Sequence, residues 1–220
     1  NLPTLNSCDN FIVDGDGIFD LNEQNINIIN QLTSDQFTIT YYESEEDAIS
    51  DLNVISSPDT YDNSVAFSQT IFARIVPDSN PTCFSISSFL IETFNPPDLI
   101  VPTALEECDD DYDGIVSYFD LSQKTDEILN GQTGIVVTYH ETIEDAENNT
   151  NSITDLYTNT TADNQTLHVR LEDNETDCAA TTTLDLIVNP IPEIITPPIL
   201  EVCDANYDGI TTIDLSSLDD

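Results

Sequence analysis

Short runs in this chain alternate apolar and polar residues. The clearest are 69–75 and 165–171, in which every second residue from Ile71 or Leu167 is apolar. Such alternation predicts strands with one face buried in a core. Further strands are predicted by β-branched and aromatic residues at 37–42, 85–94, 135–140 and 181–188.

Three-residue spacing of apolar side chains predicts a short helix between the first loop and the first of these strands. It is carried by Ile26, Ile29 and Leu32. The weaker counterparts in the second half of the chain are Leu121, Ile128 and Leu129. Ser44 and Thr142 each stand three residues before an acid, which is typical of a helix N-cap, so one helical turn is expected after each.

The same order of elements occurs twice, and each copy begins with a cysteine and an acidic loop. The leading cysteines are Cys8, Cys108 and Cys203, at intervals of 100 and 95 residues, and proline-rich segments precede them. The expected fold is all-β with short helices: tandem Ig-like β-sandwich repeats forming an elongated array. The repeats are expected at 1–97 and 98–192, with the start of a truncated third at 193–220.

The acidic loops have the spacing of a calcium site, since calcium takes six to eight oxygens from alternate positions of such a loop. In the second copy, Asp109, Asp111 and Asp113 occupy positions one, three and five, before a glycine. Ile115 would add a main-chain carbonyl, and Asp120 a shorter carboxylate than the usual glutamate. The candidate ligands in the other copies are Asp204, Asn206, Asp208, Ile210 and Asp214, and Asp9, Asp14, Asp16 and Asp20.

Two other interpretations of these aspartates stay open. Asp, Asn and Gly favour solvated turns without any ion. Asp20 precedes Glu23, and Asp120 precedes Gln123, with the spacing of a capping box, so Asp20, Asp120 and Asp214 can equally cap the helix that follows. The first loop fits the calcium spacing least well, because Asp9 is well separated from its other acids.

Charge narrows the possible partners. The chain has 43 acidic and 3 basic residues, for a net charge of −40. Nucleic acid and anionic membrane surfaces both require a basic face, so neither is expected as a partner. An acidic, calcium-rich extracellular protein fits this composition, and no direct membrane insertion is expected.

The five cysteines favour an oxidising, extracellular setting. Two disulfide patterns respect the repeat. Within units, Cys8 would join Cys83 and Cys108 would join Cys178, each closing a loop worth roughly 4 kcal/mol. Across units, Cys83 would join Cys108 and Cys178 would join Cys203. The first pattern is preferred, because it needs no neighbouring unit.

The other chemical side chains predict structure and no catalysis. Arg74 and Arg170 occupy the same repeat position, where a cross-strand ion pair is expected. His140 and His168 have no histidine counterparts in the first unit and are expected on the surface. We find no nucleophile–base pair, phosphate-binding glycine loop or zinc motif, so the chain is not expected to be an enzyme.

The combined motifs resemble a known family. They are Cys-Asp-x-Asn-x-Asp-Gly-Ile, then Thr-Tyr-(Tyr/His)-Glu, then Gln-Thr-(Ile/Leu)-x-x-Arg and a late cysteine. Together they resemble the tandem repeats of SprB-like gliding-motility adhesins and other large type IX-secreted surface proteins of Bacteroidetes. The resemblance implies export by type IX secretion, attachment at the outer cell surface, and a filament that grips a substratum.

We therefore predict a structural repeat segment of an extracellular adhesin filament, stiffened by calcium loops and disulfides. Its expected partners are neighbouring repeats of the same chain and a surface polysaccharide or substratum. The alternative is a carbohydrate-binding or spacer module of a type IX-secreted hydrolase. That function would require an exposed aromatic platform, for which Tyr41, Tyr42 and Tyr139 are candidates.

Overall fold

The computed structural model describes residues 2–9, 13–30, 32, 36–192, 199, 201–204 and 208–213, which include two successive units of the same design. The elements of the first unit are β1 (Leu5–Cys8), β2 (Ile18–Phe19), α1 (Glu23–Ile29), β3 (Phe37–Tyr42), α2 (Glu45–Ser50), β4 (Tyr61–Asp62), β5 (Ser68–Pro77) and β6 (Ser85–Phe94). Those of the second unit are β7 (Leu105–Cys108), β8 (Phe119–Asp120), α3 (Thr125–Leu129), β9 (Ile135–His140), α4 (Ile143–Glu147), β10 (Leu156–Tyr157), β11 (Asn164–Asp173) and β12 (Ala179–Asn189). Short 3-10 helices occupy Pro58–Thr60 and Leu121–Lys124.

The strand order is the same in both units. In the first, a four-stranded sheet runs β1-β6-β5-β3, and β2 pairs with β4 in a separate ribbon. β1 is parallel to β6, and the other neighbours are antiparallel. The second unit repeats this as β7-β12-β11-β9 with β8 and β10. In each unit, the second and fourth strands form a layer apart from the sheet that contains the third, fifth and sixth strands. This is the Ig-like arrangement, so the predicted tandem β-sandwich fold is confirmed.

Each unit packs its own apolar core around the two long central strands. Ile71 and Ala73 are fully buried on β5, and Leu167 and Val169 on β11, as their alternation predicts. Burying a large apolar side chain contributes about 1.5–3 kcal/mol to stability. Because the two cores do not share residues, each unit has the means to fold by itself.

The helical turns α2 and α4 begin as predicted. Ser44 and Thr142 are their N-caps. Each side-chain oxygen accepts the backbone N–H of the residue three positions later, Asp47 or Asp145, at 3.1 Å. These bonds satisfy an amide that the first helical turn leaves without a partner.

The predicted apolar face of α1 is wrong at Ile26 and Ile29, which are 60% and 47% exposed, whereas Ile28 is buried. Leu32 lies beyond the helix and is partly buried against the core. The helix has only seven residues, and Gln24 is also buried, with Nε2 donating to the carbonyl of Pro3 at 2.7 Å. This bond turns the face with Gln24 and Ile28 toward the core.

The predicted cross-strand pairing of the arginines is also wrong. Arg170 forms an ion pair with Glu172 of its own strand at 2.7 Å. The guanidinium groups of Arg74 and Arg170 share a different contact, since they donate to the carbonyls of Ala48 (2.8 Å) and Ala146 (3.2 Å). Each positive charge thus sits at the C-terminal end of a short helix, where it is favourable.

Candidate functional site

A disulfide joins the two units. Cys8, the last residue of β1, is bonded to Cys178, which directly precedes β12, with 5.5 Å between their Cα atoms. Cys178 is fully buried, and its Sγ lies 3.8 Å from the carbonyl oxygen of Phe94 at the end of β6. The turn between β11 and β12 of the second unit is therefore seated on the end of the first unit's sheet.

Both predicted disulfide patterns are wrong, and strand geometry gives the reason. Cys8 pairs with Phe94 at the end of β6, whereas Cys83 lies just before its start at Ser85. Nine residue steps along a strand span about 30 Å, but a disulfide needs Cα atoms within about 7 Å.

The same separation holds in the second unit, where Cys108 lies beside the end of β12 and Cys178 precedes its start. Cys83 and Cys108 each lie at the end of their unit that faces away from the Cys8–Cys178 junction, so these two cysteines cannot bond to each other. Cys83, Cys108 and Cys203 are free and exposed. Disulfides persist in oxidising compartments, so the Cys8–Cys178 bond fits an extracellular or secreted structural domain.

The aspartate after each leading cysteine folds its own loop. The carboxylates of Asp9, Asp109 and Asp204 accept the N–H of a glycine five or six residues on, at 2.7, 3.0 and 2.6 Å. These glycines have φ of +82°, +76° and +78°, a left-handed conformation that L side chains rarely adopt. The recurring Asp and Gly therefore have a structural role whether or not a metal binds.

A buried asparagine closes each of the first two loops from the opposite ribbon. Asn63 Oδ1 accepts the N–H of Gly17, and its Nδ2 donates to Gly15 O at 2.9 Å. Asn159 repeats these contacts with Val116 N–H (2.9 Å) and Gly114 O (2.8 Å). Sequence reasoning missed both asparagines, although a Tyr-x-Asn triplet at matching positions of the two units was an available signal.

The second loop brings several predicted ligands together. Carboxylate oxygens of Asp109, Asp110 and Asp111 lie within 4.8 Å of one another. Burial raises the pKa of Asp111, and contact with Asp113 raises it further. The N–H of Ile115 donates to Asp113 Oδ1 at 2.7 Å.

Backbone amides already occupy the leading carboxylate of this loop. Asp109 Oδ1 accepts the N–H groups of Asp111 and Tyr112, and Oδ2 accepts that of Gly114. Burial opposes ionisation of Asp109, but these bonds outweigh it and hold its pKa below 3.8.

The last aspartates of the first two loops act at the start of the following helical segments. Asp20 Oδ1 accepts the N–H of Asn22 at 2.9 Å, and Asp120 Oδ1 accepts that of Ser122 at 3.2 Å. Asp120 is the N-cap of the 3-10 helix Leu121–Lys124, which supports the capping interpretation for that residue. The N-cap of α1 is Asn22, so Asp20 forms a turn before the helix and does not cap it.

In the third loop, Asp208 Oδ1 accepts the N–H of Ile210, whose side chain is exposed. The predicted ligands Asn206 and Asp214 lie outside the described residues.

In the first loop, one carboxylate oxygen of the leading aspartate accepts no hydrogen bond from the described residues. Asp9 is 5% exposed, and its Oδ2 accepts the N–H groups of Asp14 (3.1 Å) and Gly15 (2.7 Å). Its Oδ1 is shielded from solvent and has no hydrogen-bond partner among the residues that the structure describes. The pKa of Asp16 is raised chiefly by Asp14, then by burial, Asp62 and Asp9. The carboxylates of this loop therefore repel one another, but among the described residues only those of Asp109, Asp110 and Asp111 form a group of three within 4.8 Å.

The aromatic platform expected for carbohydrate binding is absent at the proposed residues. Tyr41, Tyr42 and Tyr139 are at most 3% exposed. Tyr41 OH donates to Asn25, and Tyr139 OH donates to the carbonyl of Leu121. Inward-facing rings cannot stack on a sugar, so this part of the alternative function is wrong.

Comparison with known proteins identifies the repeat. The model of the Flavobacterium inter-domain disulphide bond domain matches residues 4–97 and again 104–192. No curated protein matches. Similar solved structures include human mucin-like protocadherin EC1-2, with 11% identity, 86% of this chain and 96% of that chain covered, and a TM-score of 0.24. The fibronectin(III)-like modules of Clostridium thermocellum CbhA are 11% identical, with 85% of this chain and 89% of that chain covered and a TM-score of 0.29. Separately, none of the helices in the described part combines the length and apolarity needed to cross a bilayer.

Proposed function

Since this chain belongs to the family of Flavobacterium inter-domain disulphide bond domains, we propose that it is a structural repeat segment of an extracellular, cell-surface adhesin filament. The filament would be exported by type IX secretion and used in surface adhesion and gliding motility. The observation that carries this proposal is the Cys8–Cys178 bond, which links successive units covalently at their junction. A filament that transmits force between a cell and a substratum needs links that resist extension.

The bond changes the path that tension follows. Force applied to the two ends of the chain passes from Cys8 directly to Cys178 and leaves through β12. The 170-residue separation between the cysteines encloses most of both units, so tension cannot extend the enclosed residues while the bond is intact. In the oxidised chain, β1 and β12 carry the load, and β2 to β11 are relieved of it.

The same linkage extends to neighbouring repeats in this proposal. Cys108 ends β7 as Cys8 ends β1, and Cys83 precedes β6 as Cys178 precedes β12. Both are exposed, and Cys108 lines an open pocket of about 340 Å³ with Tyr118. Cys108 would accept the turn cysteine of a following unit, and Cys83 would bond to the strand-end cysteine of a preceding one.

Calcium is the second stiffening element of the proposal. Asp9 and Asp109 directly follow the cysteines at these junctions. A cation held there would fix the loop beside each link, and oxygen ligands suit calcium. The remaining negative charge would keep neighbouring filaments apart. The proposed partners are adjoining repeats and a surface polysaccharide or substratum.

The test uses the parent protein in its native cells. An antibody raised against residues 1–192 should label intact, unpermeabilised cells, and deletion of this segment should lower attachment under flow and gliding speed. Relative to the native protein, Cys8→Ser should lower attachment more strongly under high flow than under low flow. Labelling only after permeabilisation, or unchanged attachment and gliding after deletion, would contradict the proposal.

A further inference from the structure

An open pocket of about 340 Å³ lies at the end of the second unit that carries Cys108. Its lining includes Asp110, Tyr118, Asp120 and Gln123. Sites for small molecules are concave, hold a few polar groups and have volumes of about 300–1,000 Å³. The pocket lies at the small end of this range, so it has room for a small ligand.

Tyr118 gives this pocket an exposed aromatic wall. The residue is 57% exposed, whereas Val116, which also lines the pocket, is buried. A tyrosine combines a flat apolar ring with a polar hydroxyl, and this combination suits a ligand that is apolar on one side and polar on the other. Tyr118 therefore has the aromatic surface that the buried Tyr41, Tyr42 and Tyr139 lack.

The polar lining of the pocket is rich in hydrogen-bond acceptors. An ionised carboxylate only accepts hydrogen bonds, and a glutamine amide both donates and accepts them. Asp110 Oδ2 accepts the hydroxyl of Ser117 at 3.1 Å, and Asp120 Oδ1 accepts that of Ser122 at 2.6 Å. Both carboxylates thus already bind hydroxyl groups. A complementary ligand would present further hydroxyl donors.

The charge around the pocket excludes anionic ligands. The basic side chains of the second unit are Lys124 and Arg170, and neither of them lines the pocket. Lys124 is paired with Glu127 at 3.4 Å, and Arg170 with Glu172 at 2.7 Å. A surface of this sign repels acidic polysaccharides. The matching hydroxyl-rich ligand is therefore neutral.

The first unit shows how accessible this position remains once a following unit is attached. Ile18 occupies the matching position, directly before the paired residues of the separate ribbon. Ile18 is 60% exposed, although Cys8 of the same unit is bonded to Cys178. Tyr118 should therefore stay accessible when a following unit is joined at Cys108.

We infer that this pocket binds a neutral sugar of an extracellular polysaccharide, with the ring of Tyr118 stacked on one face of a pyranose and Asp110, Asp120 and Gln123 bonded to its hydroxyl groups. A pyranose has C–H groups on its faces and hydroxyls around its edge, so it matches an aromatic wall beside an acceptor-rich rim. This inference deepens the proposed function, on which it rests, by placing the polysaccharide contact on the second unit.

Titration of the ¹⁵N-labelled whole chain with oligosaccharides, followed by backbone amide NMR shifts, tests the inference. The neutral probes are cellotetraose, laminaritetraose and maltotetraose. Trigalacturonate is the anionic probe, and a glucosamine tetramer is the cationic one. The titrations are run in about 0.1 M NaCl, which screens the diffuse attraction of cations to a chain with net charge −40.

Tyr118→Ile is the test variant, because the first unit carries an isoleucine at this position in the same fold. Tyr112→Asn is the matched control. It removes another exposed aromatic ring of the same unit, 65% exposed and outside the pocket lining. Asparagine also tolerates the positive φ of +69° at this residue.

At least one neutral tetrasaccharide should shift the amides of residues 116–123 saturably. Tyr118→Ile should weaken this binding about three- to tenfold, and Tyr112→Asn should leave it unchanged. Trigalacturonate should not bind. No saturable shift with any neutral probe, shifts with the cationic probe alone, or equal weakening by both variants would overturn the inference.

The outcome is separable from that of the proposed function. A chain that binds no sugar would still be a spacer, and its surface labelling and the attachment of cells that lack it would still report on that role. Labelling only after permeabilisation would contradict the filament proposal, whatever the titration shows.

Discussion

Loss of the Cys8–Cys178 bond should change how the chain extends under force. The perturbation is Cys178→Ser, or reduction of the native chain, and it opens a closed loop with a sequence separation of 170 residues. A fully extended chain spans at most about 3.3–3.6 Å per residue, so the opened loop can release about 560–610 Å of additional length. In the chain-entropy model, closing a loop of this size stabilises the folded state by about 5 kcal/mol.

The assay is single-molecule stretching with handles at the two ends of the chain. While oxidised, the chain should extend only through the segments outside the loop. The Cys178→Ser variant should add the hidden length, in two unfolding steps if the two units, each with its own core, unfold separately.

Cys83→Ser is the control, because it removes a free, exposed thiol and leaves the bond intact. It should extend like the native chain. Equal released lengths for native and Cys178→Ser chains under oxidising conditions would refute the load path we describe.

Three further predictions concern the loops and the helix caps. Gly114→Ala should lower the free energy of unfolding by about 1–3 kcal/mol more than Gly131→Ala, because an added Cβ meets the backbone N of Asp163 and the Cβ of Ala162 at 3.0 Å only at the first site, while both have positive φ; equal losses in urea denaturation would contradict this. Asn159→Ala should cost about 2–3 kcal/mol by leaving buried backbone groups unpaired, whereas the exposed Asn174→Ala should change little. Hydrogen bonds from a threonine, an asparagine and a second threonine hold the pKa of Asp145 below 3.8. Its contribution is therefore present above that pH and lost as pH falls through the folded pKa, so Asp145→Asn should reduce the drop in Tm between about pH 5 and pH 3.

Strands and caps could be predicted because their signals are local. Alternation at Ile71 and Ala73 identifies a half-buried strand whatever the rest of the chain does, and both side chains are fully buried. The hydroxyl of Thr142 likewise needs only an amide three residues away. Alternation of apolar residues thus predicted the long strands, and capping patterns predicted the start of the short helices.

Features that depend on distant contacts could not be predicted. The disulfide follows from which end of a strand each cysteine occupies, and spacing along the chain does not contain that information. His140 was expected on the surface but is fully buried, with Nδ1 2.7 Å from the carbonyl of Thr150. In the first unit, Tyr42 fills the same position and bonds to Asp51. Both side chains also contact the threonine two residues earlier, Thr40 at 3.0 Å and Thr138 at 2.9 Å, and this shared contact is not evident from the residue types alone.

The candidate site was only partly predictable for the same reason. Counting acids predicted where carboxylates gather, and Asp109 and Asp111 do lie together. It could not tell which oxygens the backbone occupies, and that difference separates Asp9 from Asp109. Asn63, which holds the first loop, lies 46 residues from its partner Gly17, and the repeated Tyr-x-Asn triplet does not tell which loop it contacts.

Disulfide mapping of the purified chain under non-reducing conditions tests the central claim most directly. Trypsin can cut only after Arg74, Lys124 and Arg170, so it gives the fragments 1–74, 75–124, 125–170 and 171–220. The account predicts that 1–74 is linked to 171–220 and that Cys178→Ser abolishes this link. A link between 1–74 and 75–124, as pairing of Cys8 with Cys83 would produce, would contradict a covalent joint between the two units.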